Sequence, residues 1–135
     1  MEFTLENQTH YAIQAYTDEA ITVAVHEEFA QAASTVLVKA IASPFILSID
    51  SLIESWEPAL ISESSSADFQ SLLDYCPEVV ILGTGKSVVF PPSGALQAFY
   101  TRNIGVEIMD TGAACRTFNV LASENRKVIA GFMQF

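Results

Sequence analysis

Apolar and polar positions alternate at the start of the chain and change period further on. Tyr11 to Tyr16 and Ala20 to Val25 are apolar runs with alternation, separated by the turn-prone Thr17-Asp18-Glu19; this predicts a β-hairpin. The β-branched run Thr35-Val36-Leu37-Val38 adds a third strand to the meander, and Pro44 closes it. From Phe45 to Ser66, Ile46, Ile49, Leu52, Ile53 and Trp56 fit helical spacing, but Ser and Pro interrupt them. Helix and strand pieces are both compatible with that stretch.

The polar segment Ser62-Glu63-Ser64-Ser65-Ser66 reads as a linker whose last serine caps a helix. Phe69, Leu72, Leu73 and Cys76 then stand at i, i+3, i+4 and i+7, one apolar stripe, with Asp68 in the first turn and Pro77 as the stop. Glu78 to Leu82 is a nearly continuous apolar run, as expected of a strand covered on both faces in a parallel sheet, and it ends at Gly83-Thr84-Gly85. A short strand is expected at Val88-Val89-Phe90. Pro91-Pro92-Ser93 opens a second helix, with Leu96, Phe99 and Tyr100 on its apolar side and Asn103 near its end. Ile104 to Met109 returns as a strand, so strand, crossover helix and strand make a right-handed βαβ unit.

Asp110-Thr111 caps a third helix over Gly112 to about Glu124, packed through Ala114, Phe118, Leu121 and Ala122. Asn125-Arg126-Lys127 is a polar turn, and Val128 to Met133 is a last strand apolar enough to lie inside the sheet. The pattern predicts one α/β domain over 1–135, with a β-rich part at about 1–60 and a βαβ-containing part at about 66–135.

Charge narrows the function classes. Six Lys and Arg against sixteen acids give a net charge of −10, which opposes binding to phosphate backbones, so nucleic acid is excluded as a partner. No apolar run reaches the roughly 18 to 20 residues that span a bilayer, so no membrane insertion is expected. The opening MEFTLENQTHY has neither a basic nor an apolar signal region, and a cytoplasmic location follows as the expectation. Cys76 and Cys115 form no CxxC motif and read as reduced thiols.

Three segments in one order carry a resemblance: Pro77-Glu78-Val79-Val80-Ile81-Leu82-Gly83-Thr84-Gly85, then Gly105 to Thr111, then Ala113-Ala114-Cys115-Arg116-Thr117-Phe118-Asn119-Val120-Leu121. Together they resemble the uncharacterised family (domain of unknown function 498/598) that includes mitochondrial complex I assembly factor 3 and an adipogenesis-associated mammalian member. The similarity covers about residues 66 to 135 strongly and the N-terminal hairpin loosely. It implies a three-layer α/β fold: a central mixed, mostly parallel sheet with helices on both faces, and an antiparallel hairpin or meander layer from the N-terminal part. It implies a role in assembly for one member and no general reaction. Phe118 stands where relatives often carry Tyr, so any role of a hydroxyl there is absent.

Two segments are candidate chemistry. Gly83-Thr84-Gly85-Lys86-Ser87 follows a buried strand, and such a loop can turn backbone N–H groups toward a phosphate. The phosphate-loop pattern fails at Val80 and GxGxxG fails at Val88, which leaves a tight turn as the plain reading. Asp110, Thr111, Cys115, Arg116 and Asn119 gather at the start of the third helix after a parallel strand, where open α/β sheets place ligands. There a helix N-terminus and Arg116 suit an anion. The plain alternative makes Asp110 a cap, Arg116 a fork to an acid or carbonyl, Asn119 a tie to a turn, and Cys115 a small packed group.

A Cys/His pair would need His10 or His26, both in the hairpin region, to reach Cys115. The scattered histidines and cysteines offer no metal set, and no cofactor is called for. Glu27-Glu28 and Glu63 read as solvated, and Trp56, Phe132 and Phe135 as core or interface aromatics. The expected function is a non-catalytic interaction or assembly protein with protein partners. Self-association is compatible with a mean hydropathy of +0.33. The alternative is a small-anion or nucleotide binder, or an enzyme, using Gly83 to Gly85 and Asp110 to Asn119.

Overall fold

A computed structural model of the chain describes residues 8–28 and 35–134. The expectation for Phe135, and that for the Glu28 side chain, lie outside what is described. The strands β1 (Gln8–Tyr16), β2 (Ile21–Glu28) and β3 (Thr35–Ile41) form an antiparallel sheet in the order β1-β2-β3. Thr17 closes the hairpin as expected. Its N–H donates to the Ala20 carbonyl at 2.9 Å, and its hydroxyl oxygen accepts from the N–H groups of Glu19 and Ala20, both at 3.2 Å. A bulge between Ile13 and Ala15 shifts the register near the turn and bends that end of the hairpin.

The second sheet contains β4 (Phe45–Ser48), β5 (Leu52–Ile53), β6 (Val79–Thr84), β7 (Gly105–Met109) and β8 (Val128–Gln134), ordered β5-β4-β8-β6-β7. β6 runs parallel to both β7 and β8, while β4 is antiparallel to β8 and β5. The sheet is therefore mixed, and β8 lies inside it. The stretch left open between Phe45 and Ser66 resolves into two short strands, an irregular segment and a single 3₁₀ turn at Ile61–Glu63. Helical spacing there is coincidental: β4 is covered on both faces, so Phe45, Ile46 and Leu47 are all buried. The turn into β5 is held by the Ser48 N–H donating to the Ser51 carbonyl at 2.9 Å.

The helices are α1 (Gln70–Asp74), preceded by a 3₁₀ turn at Ser66–Phe69, α2 (Gln97–Thr101) and α3 (Thr111–Ser123). The first cap is Ser65, one residue earlier than expected: its N–H donates to Asp68 Oδ2 at 2.8 Å. Cys76 leaves the apolar stripe because it takes the left-handed conformation (φ 53°) that ends the helix before Pro77, and it is exposed. Val88 to Phe90 is irregular chain and pairs with no strand, and Tyr100 points outward while Leu96 and Phe99 are buried. Helix α2 begins later than its proline-marked start suggests, so its inner face covers fewer positions. Asn103 takes φ 59° just past it.

Alternation sorts the five-stranded sheet onto two cores. Phe45, Leu47, Val79, Ile81, Ala130 and Phe132 face α3 and the meander, meeting Ala114 and Phe118 on one and Ile13, Ile21 and Val23 on the other. The Phe45 and Phe132 rings stack there, 4.9 Å apart. Ile46, Val80, Leu82 and Ile129 face the opposite way, onto Trp56, Leu72 of α1 and Phe99 of α2. Helices thus lie on both faces, and the meander adds its layer beside α3, leaving the β1–β2 turn over the start of that helix.

Candidate functional site

Thr111 joins three segments at the C-terminal ends of the parallel strands. Its N–H donates to the Gly85 carbonyl at 2.8 Å, and its hydroxyl accepts from the Gly85 N–H at 3.0 Å and donates to the Gln134 carbonyl at 2.8 Å. Asp110 caps α3, its Oδ1 accepting the Ala113 N–H at 2.8 Å. Gly85 takes φ 95°, a conformation that favours glycine. Gly83 serves packing instead: a Cβ there would stand 2.9 Å from Phe132 Cδ1. Thr84 is buried, its hydroxyl donating to the Ser87 carbonyl at 2.6 Å and accepting the Val89 N–H at 3.1 Å. The loop after β6 is therefore held by its own side chain.

Arg116, two residues beyond Ala114 on the exposed side of α3, donates through Nη1 to the Tyr16 hydroxyl. The Tyr16 ring lies against Gly112, where a Cβ would come within 2.9 Å of Cε2. Only a residue without a side chain lets the hairpin sit this close to the helix. Asn119, one turn further along, is bonded to the backbone of Ile13. Cys115 is buried between them, and burial pushes its thiol up to about 12, with the Arg116 guanidinium pulling only partly the other way. At neutral pH it is a protonated thiol, not a nucleophile.

A cleft of about 400 Å³ opens between the Tyr16–Asp18 turn, Gly85 with Lys86, and the start of α3 with Arg116. Two cations, Lys86 and Arg116, and two carboxylates, Asp18 and Asp110, border it. Of the residues expected from sequence, Gly85, Asp110, Thr111 and Arg116 line this cleft, whereas Cys115 and Asn119 border an adjoining hollow of about 350 Å³. Gly83 and Thr84 line neither. Lys86, part of the candidate Gly83 to Ser87 loop, lines the cleft as well, and sequence reasoning missed Tyr16, Thr17, Asp18 and Gly112. Gly112 could have been found as the chain neighbour of Thr111. Tyr16 lies 100 residues from Arg116 and carries no local signal. His10 and His26 face each other across β1 and β2, and neither lines the hollow that Cys115 borders.

The family model described as a protein of unknown function (DUF498/DUF598) matches residues 13–133. The human NADH dehydrogenase (ubiquinone) 1 alpha subcomplex assembly factor 3 is 44% identical over 66 residues, which make up 49% of this chain and 35% of that protein. The matched segment is thus about a third of the assembly factor's length. A protein of Francisella tularensis subsp. holarctica named 13 kDa major membrane protein is 29% identical over 86 residues, covering 63% of this chain and 70% of that one. Among the described residues of the present chain, no helix is long and apolar enough to cross a membrane. The NMR structure of a Xanthomonas campestris protein superposes with a TM-score of 0.70 at 35% identity, covering 91% of this chain and 83% of that one.

Proposed function

The chain belongs to the DUF498/DUF598 family of proteins of unknown function, and we propose that it works as a non-catalytic interaction or assembly protein. The observation that carries this reading is the 44% identity with human complex I assembly factor 3 over 66 residues. The state of the polar groups supports it. Asp110, Thr111, Thr84 and Asn119 are engaged in bonds that hold the chain together, and Cys115 is buried as a neutral thiol. A reacting group needs to be free to reach substrate at a matched pKa. A link to respiratory complex I is a part of the proposal drawn by analogy, and work in the cytoplasm is a part drawn from Cys76 and Cys115 read as reduced thiols. Affinity capture of the tagged protein at native expression, with soluble and membrane fractions kept apart, tests it. Enrichment of respiratory-complex subunits or their assembly proteins is the expected result, and recovery of bait alone after crosslinking sinks it.

A second reading rests on one feature, the convergence of Lys86 and Arg116 on the 400 Å³ cleft in a chain with only six basic residues. It makes the cleft a site for a small anion or nucleotide. Such a ligand at 100 times its dissociation constant adds about 2.7 kcal/mol of stability. Melting curves with inorganic phosphate, pyrophosphate and nucleoside phosphates read this directly. The shift disappears in Arg116→Ala if the reading holds, and no shift across the panel removes it.

A further inference from the structure

The two edges of the three-stranded sheet differ. At β1, the Tyr11 N–H donates to the Ile49 carbonyl at 2.8 Å and both backbone groups of Ile13 are bonded to Asn119. At β3, only β2 pairs with the strand among the described residues, so its outer row of N–H and C=O groups is open. That edge also carries Val36, Leu37 and Val38, exposed by 55%, 54% and 60%. Thr35–Ile41 contains no acid and one base, Lys39, in a chain of net charge −10. An open edge with adjacent apolar side chains is the arrangement used for recognition by strand addition.

We propose that β3 pairs antiparallel with β3 of a second copy about a two-fold axis near Leu37, joining the two meanders into one continuous sheet. In an isologous contact each residue meets the mirror position of the same segment. Leu37 then meets its own copy, Val36 faces Val38, and Lys39 falls opposite Thr35 of the second copy. Thr35 is itself paired with Glu27 across β2. Two strand spacings place Lys39 and Glu27 of the second copy about 10 Å apart at Cα on one face, a gap that extended Lys and Glu side chains close. The edge is therefore complementary to itself in apolar character and in charge. Lys39 is bonded within its own chain to Glu54, but that pair is exposed by 52% and 41%, so exchanging one carboxylate for the other costs little. A single strand pair buries less than the 1,200 to 2,000 Å² or so of a standard stable interface, so the dimer forms reversibly with concentration. This pairing does not depend on the assembly role.

Sedimentation velocity over about a hundredfold range of protein concentration tests it. Wild type shifts from monomer toward dimer. Val38→Glu places a charge at two symmetric positions of the contact and raises the dimer dissociation constant at least about tenfold, whereas Val38→Thr, which keeps the β-branched shape, changes it little. Lys39→Glu weakens the dimer and the double variant Lys39→Glu/Glu27→Lys restores it. Melting curves at the lowest concentration, where every form is monomeric, match the wild type and show that each variant folds. A wild type that stays monomeric throughout overturns the proposal and leaves the edge to a strand of another protein. A dimer indifferent to both Val38→Glu and Lys39→Glu overturns it as well, by placing the contact elsewhere.

Discussion

The Asn119 carboxamide reaches from α3 to Ile13 and makes both hydrogen bonds that a neighbouring strand would make. It accepts the Ile13 N–H at 3.0 Å and donates to the Ile13 carbonyl at 2.7 Å. These bonds join residues 106 apart in sequence, at the bulge of β1 where the regular ladder is interrupted. Asn119 thus fastens the middle of β1 to the helix, as Arg116 does the end of the strand through the Tyr16 hydroxyl.

Removing that amide leaves two backbone groups of a buried residue without partners. Asn119→Ala is expected to destabilise the fold by about 2 kcal/mol, since each unsatisfied buried group costs about 1 to 3 kcal/mol and water restores part of it at this half-exposed rim. Urea denaturation measures the loss, and hydrogen exchange at the Ile13 amide should accelerate more than exchange in β6. Equal acceleration in both would mean that Asn119 does not act locally.

Gly131 gives a second prediction. A Cβ there would lie 2.9 Å from Trp56 Cη2 and 3.2 Å from Leu72 Cδ2, and the indole is fixed by donating to the Asp68 carbonyl at 3.0 Å. With the indole held and Leu72 buried in the core, Gly131→Ala costs about 1 to 3 kcal/mol as overpacking. Trp56 is the chain's one tryptophan, so its fluorescence reports the displacement without labelling. An unshifted emission maximum with unchanged stability would contradict the packing.

Gly112 and Tyr16 are expected to be coupled. In an exposed helix Gly→Ala stabilises by about 1 kcal/mol, but in wild type the new methyl meets the Tyr16 ring. Gly112→Ala should therefore give no gain alone and a gain of about 1 kcal/mol in a Tyr16→Ala background, a difference that a double-mutant cycle isolates. Additive effects would show that the ring swings away freely.

The thiols should separate cleanly. At neutral pH a disulfide reagent titrates the exposed Cys76 and spares the buried Cys115 until denaturant is added. Above pH about 8.5 the unfolded chain loses the Cys115 proton, while the folded chain keeps it to about 12. Its contribution to stability is therefore complete below pH 8.5 or so and declines as pH rises toward about 12. Cys115→Ala should flatten that alkaline decline, and an unaltered slope would rule out the cause.

Elements whose causes are local can be read from the order of residues alone. The meander followed from alternation and the Thr17 turn, β6 and β8 from continuous apolar runs, and α3 from the Asp110 cap and the stripe through Ala114 and Phe118. Each depends on residues a few positions apart, whose bonds and periodicity persist whatever the rest of the chain does. The segment after Phe45 was different. Its apolar residues suit either period, and only the placement of β4 against β8 made it strand, because both of its faces had then to be covered.

The candidate site divided in the same way. Gly85, Asp110, Thr111 and Arg116 could be named because a strand end followed by a capped helix is written in consecutive residues. Gly83 and Thr84 belonged to the same motif but turned to Phe132 and to the loop's own backbone, which depends on the facing of β6. Tyr16, Thr17 and Asp18 reach the cleft only because sheet and helix share one core and Gly112 permits a close approach. Contacts across about a hundred residues are fixed by the packing of whole layers, and no local pattern in the sequence records which surfaces those layers bring together.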